Sequence, residues 1–117
     1  MPNFRDLLNA AKAEVREVDT AEADELRQRP GAVVLDVREP DEYEQGAIPG
    51  AVHIPRGTLE TKVEAALPRG RKVIIYCAGG NRSALAADTL QQMGYTDVAS
   101  MAGGFRHWAQ SGGEVEG

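Results

Sequence analysis

Two apolar runs, "AVVLDV" (Ala32 to Val37) and "KVIIYC" (Lys72 to Cys77), constrain this chain more than any other feature. Each is short, rich in β-branched residues and apolar at successive positions, so both faces of a strand would be apolar. Strands buried on both faces belong to parallel sheets covered by helices. The intervening segments agree. Asn3 to Ala13 is predicted as an amphipathic helix with Phe4, Leu7, Leu8 and Ala11 on one face, capped by Asn3 with Asp6 in its first turn. "EVREV" (Glu14 to Val18) alternates like a short strand. Asp19 followed by Glu22 resembles a capping box for a helix that stops before Pro30.

In "EPDEYEQG", Pro40 suits a first helical position, the acids suit a first turn and Gly46 suits a stop. "AVHIP" (Ala51 to Pro55) reads as a third strand, and "TLETKVEAALPRG" as a helix ended by Pro68. "KVIIYC" is the fourth strand and the expected centre of the sheet. The next helix carries Leu85, Ala86, Leu90 and Met93 at helical spacing and closes at Gly94. "DVASM" gives a fifth strand, and "GGFRHWAQSGG" a last short helix and a flexible end. Strands alternating with helices imply an α/β fold: a central, mainly parallel five-stranded sheet flanked by helices.

A length of 117 residues fits one domain. A formal net charge of −5 argues against nucleic acid and anionic membrane as partners. The first twenty residues have scattered charges and lack a signal-peptide core, and no stretch is long and apolar enough to span a bilayer. A soluble, cytoplasmic protein is expected. A single cysteine excludes an internal disulfide, a CxxC pair and a cysteine-rich zinc site. No metal-ligand spacing is present, and no cofactor is expected.

That cysteine lies in "YCAGGNRSALAADTL" (Tyr76 to Leu90), at the carboxyl end of the fourth strand, where open α/β sheets bind ligands. Gly79 and Gly80 permit a tight turn that can aim successive N–H groups at one point. The helix starting near Asn81 adds its dipole, and Arg82 a full positive charge. Such a cradle should stabilise a thiolate, an incoming oxyanion or a persulfide. A lone cysteine is more often a core residue, but its neighbours here favour a nucleophile. Ser83 fits either a helix-start residue or a hydrogen-bond partner of the sulfur.

These residues resemble the rhodanese family of sulfurtransferases. "YCAGGNRSA" is similar to the family's Y-C-x-x-G-x-R-S loop at Tyr76, Cys77, Gly80, Arg82 and Ser83. "LDVREPDEYEQGAIPGAVHIP" (Leu35 to Pro55) and "MAGGFRHW" (Met101 to Trp108) resemble two further motifs of the family. Ala47 stands where the family usually has a histidine of structural role. The resemblance implies a rhodanese-like domain over 15–117, with residues 1–14 as an extra N-terminal helix packed on or appended to it. It implies sulfur transfer from thiosulfate or a related anionic donor to a thiophilic acceptor through a Cys77 persulfide. The alternative is a persulfide relay or protein-interaction module, whose partner is a sulfur-relay protein.

Cys77 is then the nucleophile. The loop from Ala78 through Gly79, Gly80 and Asn81 to Arg82 and Ser83 binds the persulfide, and Arg82 meets the donor's oxyanion. The Cys77 to Arg82 spacing is C-x4-R, whereas related phosphatases and arsenate reductases use C-x5-R. Asp36 and Arg38 are expected as structural support. Arg56, after the third strand, either reaches the rim of the site or is a solvated loop residue. His53 and His107, the only histidines, read as structural or exposed rather than catalytic.

Overall fold

In the computed structural model, which describes residues 2–117, the two apolar runs lie side by side at the centre of one sheet. They form β2 (Val33–Asp36) and β4 (Val73–Tyr76), buried at every position. The two are parallel, in register from Val33 beside Val73 to Asp36 beside Tyr76. Outside β2 lies β3 (Val52–His53). Beyond β4 come β5 (Val98–Met101) and the edge strand β1 (Arg16–Val18). The order is β1-β5-β4-β2-β3, and every neighbouring pair is parallel. The chain is therefore an α/β protein with a five-stranded parallel sheet, and "KVIIYC" is its central strand.

Alternation along β4 divides the core into two layers. Val73 and Ile75 pack with Leu35, Val63 and Leu90 on one face, and Ile74 and Tyr76 pack with Val34, Met101 and Trp108 on the other. The first layer is covered by α4 (Leu59–Ala66), which follows a 3-10 turn at Arg56–Thr58, and by α5 (Asn81–Gln92). The second is covered by α2 (Thr20–Arg27) and α6 (Gly104–Gln110). The short α3 (Pro40–Glu44) opens on Pro40, as its sequence predicts. Gly46 ends the turn behind it with a φ of +148°.

Helix α1 (Phe4–Glu14) begins at the expected capping box: Asp6 N–H donates to the Asn3 side chain at 2.9 Å and Asn3 N–H to Asp6 at 3.1 Å. It packs along α5, where the Gln91 amide donates to the Glu14 carbonyl at 2.8 Å. Its apolar face is not buried as a unit. Ala11 is buried, but Phe4 and Leu7 are 59% and 57% exposed. The first turn of α1 lies beside the start of α5, where Phe4, Arg5, Leu8, Asn9 and Asn81 line a shallow hollow.

Two other expectations are corrected. Asp19 caps α2 by accepting from Glu22 N–H at 2.8 Å, but the Glu22 carboxylate pairs with Arg16 instead of closing a box. The carboxyl-terminal segment is not a free end. Trp108 Nε1 donates to the Glu114 carbonyl at 2.8 Å, and Ala47 and Glu116 exchange backbone hydrogen bonds of 2.9 and 2.8 Å. An indole N–H buried with its ring needs an acceptor, and the tail supplies it. Ala47, where the family motif has histidine, is thus a buried anchor for the tail. Among the described residues no helix is long and apolar enough to cross a membrane.

Candidate active site

Strand β4 ends at Tyr76 and delivers Cys77 to the carboxyl edge of the sheet, 1% exposed. The chain then turns through Ala78 and Gly79 to Gly80, whose φ of +103° is open to glycine and costly for other residues. That turn folds the backbone back over the sulfur. Gly80 N–H donates to Cys77 Sγ at 3.1 Å and Ser83 N–H at 3.3 Å. Of the amides expected to reach the sulfur between Ala78 and Ser83, these two do so. The Ser83 hydroxyl also lies 3.5 Å from Sγ. It is 2.9 Å from the Ser100 hydroxyl and donates to the Gly80 carbonyl at 3.2 Å. Both serines are fully buried, so this chain of hydroxyls orders the inner side of the cysteine loop.

The loop is held from behind by α6. Phe105 N–H donates to the Cys77 carbonyl at 2.8 Å and Arg106 N–H to the Ala78 carbonyl at 3.1 Å. Both carbonyls are thereby turned away from the sulfur, leaving N–H groups on the sulfur side. Such close approach requires Gly104, with a φ of +62°. A Cβ there would stand 2.5 Å from the Ala78 oxygen. The "GGFRHW" segment thus acts as the mould of the cysteine loop.

Arg82, on the first turn of α5, points its guanidinium at the Glu42 carboxylate on α3. Two hydrogen bonds of 3.0 and 3.2 Å make a bidentate pair. The Arg82 bond, opposed by partial burial and helped by the Glu39 N–H, lowers the Glu42 pKa from its ordinary 4.5. A carboxylate lowered on folding stabilises the fold above its unfolded pKa, and that contribution is lost as pH falls through the folded value. An NMR titration of the Glu42 side-chain carboxyl should give a midpoint below 4.5 in wild type and a higher one in Arg82→Ala. An unshifted wild-type midpoint would mean that the pair is absent in solution.

Asp36 and Arg38 are buried beside the loop at the end of β2. Arg38 Nη2 donates to Asp36 at 2.7 Å and to the Gly46 carbonyl at 2.7 Å, and Nε donates to both Asp36 oxygens at 3.1 Å. The Tyr76 hydroxyl donates to the same carboxylate at 2.6 Å and accepts from Ile48 N–H. Burial, then Asp36, pushes this phenol far above its ordinary pKa, so it remains a donor. The Arg38 guanidinium also lies over the Phe105 ring, 4.3 Å from its centre. This network joins β2, β4 and the mould of the cysteine loop.

Arg56 extends toward α5, donating to Glu60 at 2.9 Å and to the Thr89 hydroxyl at 3.2 Å, two turns of helix beyond Arg82. His53 stacks on Tyr43 at 4.3 Å and meets the Arg38 carbonyl through Nε2. His107 is exposed and packs against Gly103. Among the described residues no group of His, Cys, Asp and Glu is arranged to hold a metal ion.

Three contributors went unassigned in the sequence. Glu42 reads as an ordinary first-turn acid. Ser100 had a signal, being the one polar residue inside "VASM", a fully buried strand. Phe105 carried only its place after two glycines.

The rhodanese-like domain family matches residues 19–111. A sulfurtransferase of Allochromatium vinosum is 34% identical over 99 residues, covering 84% of this chain and 92% of that one. A longer Bacillus subtilis protein named "Putative sulfur carrier protein YrkF" is 41% identical over 75 residues, which cover 64% of this chain but only 40% of the relative. A solved Rhodopseudomonas palustris structure, titled as of unknown function and a "Possible Tyrosine Phosphatase", is 36% identical. It covers 99% of this chain and 96% of its own length with a TM-score of 0.89. The family match spans the cysteine loop, its mould and the Asp36–Arg38 network together, and the chain belongs to the rhodanese-like domain family.

Proposed function

We propose that this protein is a sulfurtransferase that carries sulfane sulfur on Cys77 as a persulfide. The observation that carries the reading is the sulfur itself, held by the Gly80 and Ser83 amides inside a Cys-x4-Arg loop at a strand end. Amides that stabilise a thiolate also stabilise the persulfide anion that replaces it. In the first half-reaction the Cys77 thiolate attacks the outer sulfur of thiosulfate. A Cys77 S–S bond forms, the sulfur–sulfur bond of thiosulfate breaks, and sulfite leaves with the electron pair. In the second, cyanide or a thiolate attacks the outer sulfur of the persulfide and the Cys77 thiolate is regenerated. The free amides of Ala78, Gly79, Asn81 and Arg82 line the outer sulfur's position, and Arg82, anchored by Glu42, keeps the helix start in place. A persistent free thiol suits the cytoplasm.

A relay role is favoured by a separate observation. Exposed Phe4 on α1 shares a hollow with Leu8 and Asn81, the loop's last residue before Arg82. A protein donor or acceptor could rest there while its sulfur reaches Cys77. Phosphatase chemistry is disfavoured because the loop is one residue shorter than Cys-x5-Arg.

The test is intact mass after incubation with thiosulfate. Wild type should gain one sulfur atom and lose it on addition of cyanide. No gain with Cys77 confirmed reduced would remove thiosulfate as donor. Loading by a protein persulfide under the same conditions would then select the relay.

A further inference from the structure

A cleft of about 300 Å³ meets the cysteine loop at Ala78 and is lined by Arg38, Glu42, Gly46, Phe105 and Arg106. Arg38, Arg82 and Arg106 lie on or beside this loop and Arg56 follows β3 at the same edge of the sheet; of these four guanidinium groups three are already engaged. Arg38 is buried against Asp36 and the Gly46 carbonyl. Arg82 is matched bidentately by Glu42. Arg56 is tied to Glu60 and Thr89. Arg106 differs. It is exposed, and among the described residues its side chain forms no hydrogen bond and no ion pair.

Its backbone is nonetheless fixed. Its own N–H is bonded to the Ala78 carbonyl, so its stem rises from the mould of the loop. Its Nη1 lies 3.6 Å from the point where a Cβ would stand on Gly79. Gly79 has no side chain to fill that gap, so the guanidinium overhangs bare backbone next to the nucleophile. In a chain of net charge −5, this is an unmatched cation at the reactive edge of the sheet.

We infer that Arg106 and the cleft beneath it bind the oxyanion end of a small anionic sulfur donor, with Arg106, rather than Arg82, as the contact that sets donor affinity. This deepens the sulfurtransferase reading and rests on it. When the outer sulfur of thiosulfate faces Cys77, its sulfonate end points away from the amides that serve the sulfur. It still carries charge, and sulfite leaves with more. A planar, permanently charged fork within reach satisfies three sulfonate oxygens better than a guanidinium already matched by a carboxylate.

The experiment compares wild type, Arg106→Ala and Arg106→Lys in thiosulfate-to-cyanide transfer, using the full chain. One lost charge-assisted hydrogen-bond pair corresponds to roughly a tenfold to hundredfold rise in the KM for thiosulfate. The kcat should stay within about threefold, and lysine should recover part of the loss. A thiosulfate KM within about twofold of wild type in Arg106→Ala would overturn the inference. A second readout separates this failure from that of the reading beneath it. Cys77→Ser cannot turn over, but it keeps the cleft, and thiosulfate binding to it can be followed by NMR shifts at Ala78 and Gly79. If wild type transfers no sulfur but these shifts appear and vanish in Cys77→Ser/Arg106→Ala, the donor reading falls and the anion site stands. If the shifts persist in the double variant, the anion site falls.

Discussion

Cys77→Ser is expected to abolish sulfur transfer, by at least about a thousandfold, while leaving the fold intact. The two halves of that outcome have separate causes. The fold survives because the side chain is small and buried, and a serine oxygen can accept the same Gly80 and Ser83 N–H bonds. Transfer fails because a hydroxyl is almost wholly protonated at neutral pH and oxygen is a poor nucleophile toward divalent sulfur. Circular dichroism and urea midpoint report the first half, and thiocyanate formation from thiosulfate and cyanide the second. Activity within tenfold of wild type would remove Cys77 as the sulfur carrier. An unfolded variant would leave the question to Cys77→Ala, which loses the sulfur without adding a polar atom.

The cysteine loop was legible because its parts are consecutive. A strand end, two glycines and an arginine within six residues can be assembled from local geometry alone. The central strands were legible for a similar reason, since apolar residues at successive positions need cover on both faces. What stayed hidden depends on partners distant in the chain. Arg82 was expected to face the donor; its carboxylate partner sits 40 residues away, on a helix whose acids looked like ordinary first-turn residues. Arg56 has a side chain long enough for several partners, and only the fold selects Glu60 and Thr89. The exposure of Phe4 and Leu7 was equally out of reach, because periodicity defines an apolar face but not how far its neighbour extends. The tail looked flexible for want of any periodic pattern. It is fixed instead by a buried indole N–H that lacks another acceptor.

Asp36→Ala should cost about 3–5 kcal/mol of stability, a large share of the roughly 5–15 kcal/mol expected for a domain of this kind. Asp36 is fully buried and accepts from the Arg38 guanidinium, the Arg38 backbone N–H and the Tyr76 hydroxyl. Removing the carboxylate strands an arginine that is 4% exposed, with one carbonyl, that of Gly46, and the Phe105 and Tyr76 rings left to it. The Tyr76 proton loses its acceptor in the same step. Urea denaturation measures the loss, and a change below about 1 kcal/mol would mean that the network relaxes to water rather than holding the sheet edge. The double variant Asp36→Leu/Arg38→Met discriminates further. An isolated buried charge is the costly species, so removing both charges should recover much of the stability lost by removing one. Recovery of stability without recovery of transfer would then show that this pair shapes the cysteine loop through Phe105, whose N–H holds the Cys77 carbonyl. Recovery of both would reduce the pair to packing, and the mould of the loop would be α6 alone.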